Sequence, residues 1–365
     1  MAGKIKIFHI VEAFEGGVFA SVSQLCNHLD KGKFDVYVIH SMRPATPPNY
    51  RDFFGERIYL EYVPMVRNIS PLRDFTALLK IARILKEHNP DVVHLHSSKA
   101  GVLGRIASAM AGIKNVFYSP RGYSFLRSDV SCLKRSFYRN IEKVTAQLFG
   151  GTIIACSTDE LAHSRGLSKR CQLIPNAVDL SLLELIPVRH RRVGKPVVVT
   201  SGRITAQKDP SSFGRIANSL HHDADFIWVG DGEMVDLLRS ISPVVRVTGW
   251  KTRGESIELV ASSDIYVQTS LWEGMPISVL EAMALGKPVV ARDIVGNRDL
   301  VRHGFNGFLA RTEEEFIAAI RTLIADSYLA QVMGEKGRNI VYSKHSMEAF
   351  MEQYVKIITE SAIRA

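Results

Sequence analysis

Apolar positions along the chain fall into two successive series in which short continuous runs alternate with longer amphipathic stretches. In the first series, residues 5–11, 34–39, 58–63, 91–94, 116–119 and 152–155 are runs of the length and apolar density of buried parallel strands. Between them, residues 16–29, 71–88, 99–110 and 133–149 carry apolar residues at helical spacing. Pro71 at the start of the second helix and Pro90 just past its end fit the usual placing of proline at helix boundaries. A second series follows, with strands predicted at 197–201, 226–229, 244–248, 265–268 and 289–291. Helices are predicted at 210–220, 278–285, 313–326 and, as the last element, 347–363.

The pattern breaks between the series. Pro175, Pro187 and Pro196 frame the basic cluster Arg189-His190-Arg191-Arg192, which reads as a linker. Two β/α series of this kind predict two doubly wound α/β domains facing each other across a cleft. The expected division is residues 1–185 with 347–365 against residues 186–346. In open parallel sheets ligands lie beyond the carboxyl ends of the strands, so the strand-to-helix loops are where chemistry is sought.

Composition narrows the classes. Of the 365 residues, 46% are hydrophobic and 23% charged, an ordinary mixture for a folded protein with a large core. The four cysteines form no CxxC pair, which argues against a disulfide framework or structural zinc and for a reducing compartment, the cytoplasm. The first residues alternate like a strand and lack the apolar centre of a signal peptide, and no run is long enough to span a bilayer. The net charge is +9 and its placement is uneven. Residues 1–180 hold 24 lysines and arginines against 15 aspartates and glutamates, whereas residues 181–365 hold 22 of each. An anionic partner is therefore expected for the first half. No nucleic-acid-binding motif accompanies the charge, so nucleic acid is not an expected partner. Helix 133–149 sets Lys134, Arg135, Arg139 and Lys143 beside Phe137, Tyr138, Ile141 and Leu148. It reads either as a helix lying on an anionic membrane surface or as a core helix with a solvated polar face.

Four loops carry candidate chemistry. In Glu273-Gly274-Met275-Pro276-Ile277-Ser278-Val279-Leu280-Glu281, a Gly/Pro turn leads into a helix, with one carboxylate before its N-terminus and another a turn inside. Free amides at such a terminus attract phosphate, and flanking carboxylates would accept hydrogen bonds from sugar hydroxyls. The alternative is a helix cap at Glu273 and an ordinary helix residue at Glu281. Arg203 and Lys208 lie in the loop after the strand at 197–201 and suit a diphosphate, or are two solvated charges. Gly16-Gly17 after the first strand permits close backbone approach to a ligand, or is a tight turn. His94 and His96, and Arg121 in Ser119-Pro120-Arg121-Gly122-Tyr123, stand at strand ends where they face a ligand or serve structure. His94 and His96 share one face, but no third ligand is visible, so no metal site is expected.

Together these segments resemble glycosyltransferase family 4, of the GT-B fold. The resemblance covers nearly the whole chain and is densest from Val197 to Leu309, with the paired glutamates Glu273 and Glu281 its most specific element. Supporting matches are Gly202-Arg203 with Lys208, Ile174-Pro175-Asn176-Ala177-Val178-Asp179, Val229-Gly230-Asp231-Gly232 and Asn306-Gly307-Phe308-Leu309. The resemblance implies that Arg203 and Lys208 bind the donor diphosphate and stabilise the departing nucleotide. It implies that Glu273 contacts the donor sugar and Glu281 the ribose, while amides of Gly274, Met275, Pro276 and Ile277 help place sugar and phosphate (Pro276 itself lacking an N–H). Gly249 and Trp250 would lie near the base, and Gly16 and Gly17 near the diphosphate and acceptor. His96, Arg121 and Tyr123 are further donor or acceptor candidates, and the last helix would cross back to the N-terminal domain.

Such enzymes are similar in retaining anomeric configuration without a bound metal. The implied activity is transfer from a nucleotide sugar, expected to be a UDP-sugar, to a lipid-linked glycan of bacterial cell-surface polysaccharide (O-antigen or capsule). No cofactor or metal is expected, and the enzyme would sit peripherally on the inner face of the cytoplasmic membrane. Two competing readings are a GT-B UDP-sugar 2-epimerase, which needs no acceptor, and a non-catalytic nucleotide-sugar binding protein. The chain departs from the family pattern at two places: Arg121 stands where many members have histidine, and Asp209 where a glycine usually follows the phosphate-binding lysine.

Overall fold

A computed structural model describes residues 3–127, 129–187 and 194–363. The basic cluster expected in the linker lies outside the described residues. The chain forms two compact units, Met1–Pro175 with Glu348–Ala365, and Asn176–Met347.

The first unit contains, in order, β1 (Ile5–Val11), α1 (Gly16–His28), β2 (Phe34–His40), β3 (Ile58–Tyr62), α2 (Pro71–His88), β4 (Val92–His96), α3 (Ser98–Met110), β5 (Val116–Ser119), α4 (Cys132–Phe149), β6 (Thr152–Ala155), α5 (Thr158–Arg165) and β7 (Cys171–Leu173). The strands form one sheet in the order β3-β2-β1-β4-β5-β6-β7, and every pairing is parallel. Parallel strands are covered on both faces, which is why β4 and the last five residues of β1 are buried throughout, histidines included. The chain moves one way along the sheet from β1 to β3 and the other way from β3 to β7. With right-handed crossovers, α2, α3 and α4 therefore share one face and α1 takes the other. Ile81 and Leu85 of α2 and Leu103 and Ala107 of α3 close one core cluster with Phe8, Ile10, Leu95 and Tyr118 of the strands.

The second unit contains α6 (Leu180–Glu184), β8 (Val197–Ser201), α7 (Pro210–Leu220), β9 (Asp225–Val229), α8 (Val235–Ile241), β10 (Val245–Val247), α9 (Arg253–Ala261), β11 (Ile265–Gln268), α10 (Ile277–Ala284), β12 (Val289–Arg292), α11 (Asn297–Leu300), β13 (Gly307–Ala310), α12 (Glu313–Ala325) and α13 (Ser327–Lys344). Its sheet is also parallel, in the order β10-β9-β8-β11-β12-β13. Both units are the doubly wound α/β kind expected.

Residues 176–185, assigned to the N-terminal domain on sequence, group with the second unit. There Asn176 Nδ2 donates to the Met275 carbonyl at 2.8 Å, and His345 Nδ1 lies 2.9 Å from the Asn176 carbonyl. The last helix, α14 (Met347–Ile363), returns to the first unit as expected. Tyr354 and Ile358 are buried there; Tyr354 OH lies 2.7 Å from His94 Nδ1, and Ser361 Oγ donates to Asn115 at 2.9 Å. Among the described residues no single helix is long and apolar enough to cross a membrane.

Candidate active site

The loops after β8 and β11 build one site in the second unit. Thr205 to Lys208 leave β8 and are stitched to the β11–α10 loop by three bonds. Thr269 Oγ1 donates to the Lys208 carbonyl at 2.7 Å, the Leu271 amide to the Gln207 carbonyl at 2.8 Å, and Gln207 Nε2 to the Trp272 carbonyl at 3.0 Å. This brings Lys208 Nζ to 2.7 Å from Glu273 Oε1. Burial disfavours the Lys208 ammonium, but the Glu273 carboxylate together with Tyr266 more than offsets it and lifts Lys208 above the ordinary lysine value. Arg203 is close enough for its charge to act on Lys208 in the opposite sense. Lys208 is thus held charged within an ion pair largely withdrawn from water, its two side chains 20% and 11% exposed.

Glu273 does not cap α10. The N-cap position is Pro276, which has no side-chain oxygen, so the first-turn amides of the helix have no capping group from it. The turn is held by tight backbone packing: Gly296, at φ +83, leaves no room for a Cβ against the Gly274 carbonyl. Met275 and Pro276 are buried. Glu281 lies a turn further on, where Arg253 Nη2 and Nε donate to its Oε1 at 2.9 and 3.2 Å. Burial raises the Glu281 carboxyl above the usual glutamate value, and Arg253 pulls it back down. Arg253 escaped the sequence reading because it sits inside a capping box, Thr252 to Glu255, that opens α9. Nothing in the spacing links it to a glutamate 28 residues later.

Asp209 is accounted for by backbone geometry. Its φ is +49, in the left-handed region where glycine is the default and aspartate is among the better-tolerated side chains. Its carboxylate then accepts from the Ser212 amide at 3.2 Å to cap α7, and from Arg292 Nη2 at 2.8 Å. Lys208 remains in place. Gly249 forms a bridge with Gly230 beside the 229–232 loop, and Trp250 next to it is exposed. Gly230, at φ +142, lies so near the Gly202 carbonyl that a side chain would collide with it.

The remaining candidates belong to the first unit. Gly16 opens α1 with φ +53, the conformation that requires glycine at this turn, and Gly17 follows it. Arg121 is left-handed as well, at φ +59. The turn after it is held by Glu160, which accepts from the Gly122 amide and the Cys156 amide, both at 2.8 Å. Burial draws Arg121 below the ordinary arginine value, while Cys156, Glu160 and Tyr354 act to raise it. Tyr123 turns into the core, with its hydroxyl 2.8 Å from Ser164 Oγ and its ring stacked on Phe125.

His96 is fully buried, its Nε2 3.0 Å from His9 Nδ1. His9 is the third imidazole that the sequence did not reveal. It is opposite His94 in the β1–β4 register and so points to the same face as His94 and His96. The donor atoms of these three lie within 4.8 Å of one another. Their connections are those of a hydrogen-bonded network: His94 contacts Tyr354 OH through Nδ1 and Ser119 Oγ through Nε2, at 2.7 and 2.9 Å. His9 Nε2 and His96 Nδ1 are buried without a hydrogen-bond partner. Burial above all holds all three neutral, with His9 lowered to about 3.

Comparison with known proteins identifies the family. Residues 15–182 match the family model described as Glycosyltransferase Family 4, and residues 184–340 the one described as Glycosyl transferases group 1. The chain is 30% identical over 364 residues to an Escherichia coli UDP-Gal:alpha-D-GlcNAc-diphosphoundecaprenol alpha-1,3-galactosyltransferase, covering 92% of each. It is 25% identical over 287 residues to the Campylobacter jejuni N,N'-diacetylbacillosaminyl-diphospho-undecaprenol alpha-1,3-N-acetylgalactosaminyltransferase, covering 72% of this chain and 75% of that one. In structure it resembles Anabaena HepE, crystallised with UDP and glucose, at a TM-score of 0.81 and 20% identity over 97% of this chain and 99% of that one. With these matches over both of its parallel α/β units, the chain is a member of glycosyltransferase family 4 with the GT-B fold.

Proposed function

We propose that this glycosyltransferase moves a sugar from a UDP-sugar to a lipid-linked glycan in bacterial cell-surface polysaccharide synthesis, with retention of configuration. The observation that carries the proposal is the Lys208–Glu273 pair beside Arg203 at the open N-terminus of α10. The bond between the sugar's anomeric carbon and the diphosphate oxygen breaks as negative charge grows on that oxygen. Arg203, Lys208 and the α10 amides stabilise this charge, the role a metal plays in other transferases. The acceptor hydroxyl bonds to the same face, and its proton passes to the departing phosphate oxygen. Glu273 orients the sugar, and Glu281, held by Arg253, receives the ribose hydroxyls. Gly249 and Trp250 lie toward the base. Gly16, Gly17 and Arg121 serve the diphosphate or acceptor from the first unit.

The Escherichia coli and Campylobacter jejuni relatives named above act on undecaprenol-diphosphate-linked sugars, which supports a lipid-linked acceptor here. Such an acceptor, together with the cations Lys134, Arg135, Arg139 and Lys143 on α4, supports a peripheral position on the inner face of the cytoplasmic membrane. The test is a panel of nucleotide sugars incubated with extracted lipid-linked glycans, with EDTA present and absent, and the product linkage read by NMR. Transfer from one donor with an α linkage, unaffected by EDTA, is expected. Conversion of the donor without an acceptor, donor binding without transfer, or a β linkage from an α donor overturns the proposal.

A further inference from the structure

The outer surface of the α2–α3–α4 layer runs against the usual distribution of side chains. A helix packed on a sheet turns its apolar side inward and its polar side to water. In α4 the inward side is Glu142, Thr145 and Ala146, while Leu133, Phe137, Val144 and Leu148 are exposed. At 3.6 residues per turn these four lie within about 60° of one another, in one stripe on the outward side. Leu133 is 84% exposed and Leu148 70%. Lys134 and Lys143, both exposed, flank the stripe on its two sides.

α2 turns an apolar side inward in the usual way but carries a second apolar stripe outward. Ala77, Ile81 and Leu85 face the core, and Leu72, Phe75 and Leu79 form an exposed stripe, Leu72 being 83% exposed. Farther along the helix Arg83 and Lys86 take over this outward side. Between the two helices, α3 exposes Met110 at its end. Each of the three helices follows a strand of one parallel sheet, so they run in the same direction. Leu72, Phe75, Leu133 and Phe137 consequently sit at the end of the layer nearest the carboxyl edge of the sheet. That is where doubly wound domains bind ligands.

The acidic residues of α2 and α4 are engaged. Asp74 pairs with Lys99 at 2.7 Å and Glu87 with Arg83 at 2.7 Å, while Glu142 is buried against Tyr118 and Arg105. The layer thus offers water large apolar side chains bordered by cations, within the half of the chain that carries the entire net charge. Large apolar side chains gathered in exposed stripes mark an interaction surface, and the bordering cations select an anionic partner.

We propose that the outward face of α2 and α4 seats the first unit on an anionic phospholipid surface. The four large residues at the carboxyl-edge end enter the acyl boundary, and the flanking lysines and arginines meet lipid phosphates. This deepens the membrane partner of the proposed function and rests on that reading only for its biological purpose. It adds α2 to the membrane face and assigns much of the binding to apolar insertion.

The experiment uses the full chain and vesicles of phosphatidylethanolamine with phosphatidylglycerol, against vesicles of phosphatidylcholine alone. The parent protein is expected to sediment with the anionic vesicles. Leu72→Ser with Phe75→Ser, and Leu133→Ser with Phe137→Ser, each lower the partition coefficient about tenfold or more, since each pair removes two large apolar side chains from the contact. In the variant Leu133→Trp, tryptophan emission moves to the blue with anionic vesicles. These positions are exposed, so circular dichroism and UDP-sugar binding stay at parental values. Those readings also separate failure of this surface from failure of the transferase reading, which the donor measurement tests without lipid. A parent that stays in solution, or serine variants that bind as the parent does, overturns the proposal. So does a stable dimer by light scattering that the serine variants abolish, because the face then belongs to a second copy.

Discussion

Below about pH 6.5 the first unit is expected to lose stability, because His9, His94 and His96 are buried as neutral rings but become cations once unfolded. The folded value of His9 is about 3 against an ordinary 6.5, with burial the main cause and Lys31 and Arg121 adding to it. The folded value is depressed, so the unfolded chain binds more protons between these limits, and stability falls with falling pH. The contribution is intact above about 6.5 and declines as the pH approaches 3. At pH 5 the linkage amounts to roughly 2 kcal/mol for His9 alone. His94 and His96 shift in the same direction and add to it. Glu142, whose carboxyl burial raises, acts in the opposite sense. A variant isolates the effect of His9. His9→Asn places an amide near the position of Nδ1, which faces His96, but cannot titrate. Urea unfolding of parent and variant is compared at about pH 7.5 and 5. The parent is expected to lose roughly 2 kcal/mol more than the variant across that interval. Equal losses refute the argument, since His9 would then ionise alike in both states. Destabilisation of the parent by EDTA at neutral pH would refute the hydrogen-bonded reading of the cluster in favour of a bound metal.

Three further outcomes follow from the second unit. Arg203→Ala and Lys208→Ala each lower kcat for transfer by about 10²–10³-fold, measured as nucleotide release, and parental activity with both and Glu273 replaced defeats the assigned roles. Arg253→Ala raises the donor KM and moves the acid limb of its pH profile upward, since Glu281 is already lifted by burial and loses the charge that lowers it; a profile unchanged in pH limits the role of Arg253 to packing. Asp209→Ala costs about 2–3 kcal/mol in thermal unfolding, from the lost cap, the Arg292 pair and left-handed strain together, whereas Asp209→Gly restores the backbone freedom and costs less; equal losses would mean that strain contributes nothing.

Much of the site was legible because its signals are local. Glu273 and Glu281 flank one turn, and Arg203 and Lys208 lie in one loop, so spacing alone places each pair on one strand-to-helix connection. Groups linked by tertiary pairing were not legible. Arg253 reaches Glu281 from another helix, and Glu160 holds the turn at Arg121 from α5. His9 joins His94 and His96 only through the β1–β4 register. Tyr123 looked like a ligand group in its loop, yet its ring packs into the core. The short strand β13 and the helix α13 carry too little periodicity to be predicted, and they form because β12 and the helices of the second unit pack against them.

The amino-acid sequence by itself determined the two parallel α/β units, the family and the loops that hold the candidate residues, since these depend on periodicities of a few residues and on near-neighbour spacing. The tertiary structure decided which face each helix turns to water. Helix 133–149 reads equally well as a core helix with a solvated polar side, because periodicity records that two sides differ and not which one meets the sheet. Packing against α3 and the turn at Ser124–Leu126 commits Thr145 and Ala146 inward and leaves Leu133, Phe137, Val144 and Leu148 outside. Burial also lowered the histidines and raised Glu142 and Glu281 from their ordinary values, because a side chain's cost of ionisation depends on the water it has lost, and sequence does not record that loss.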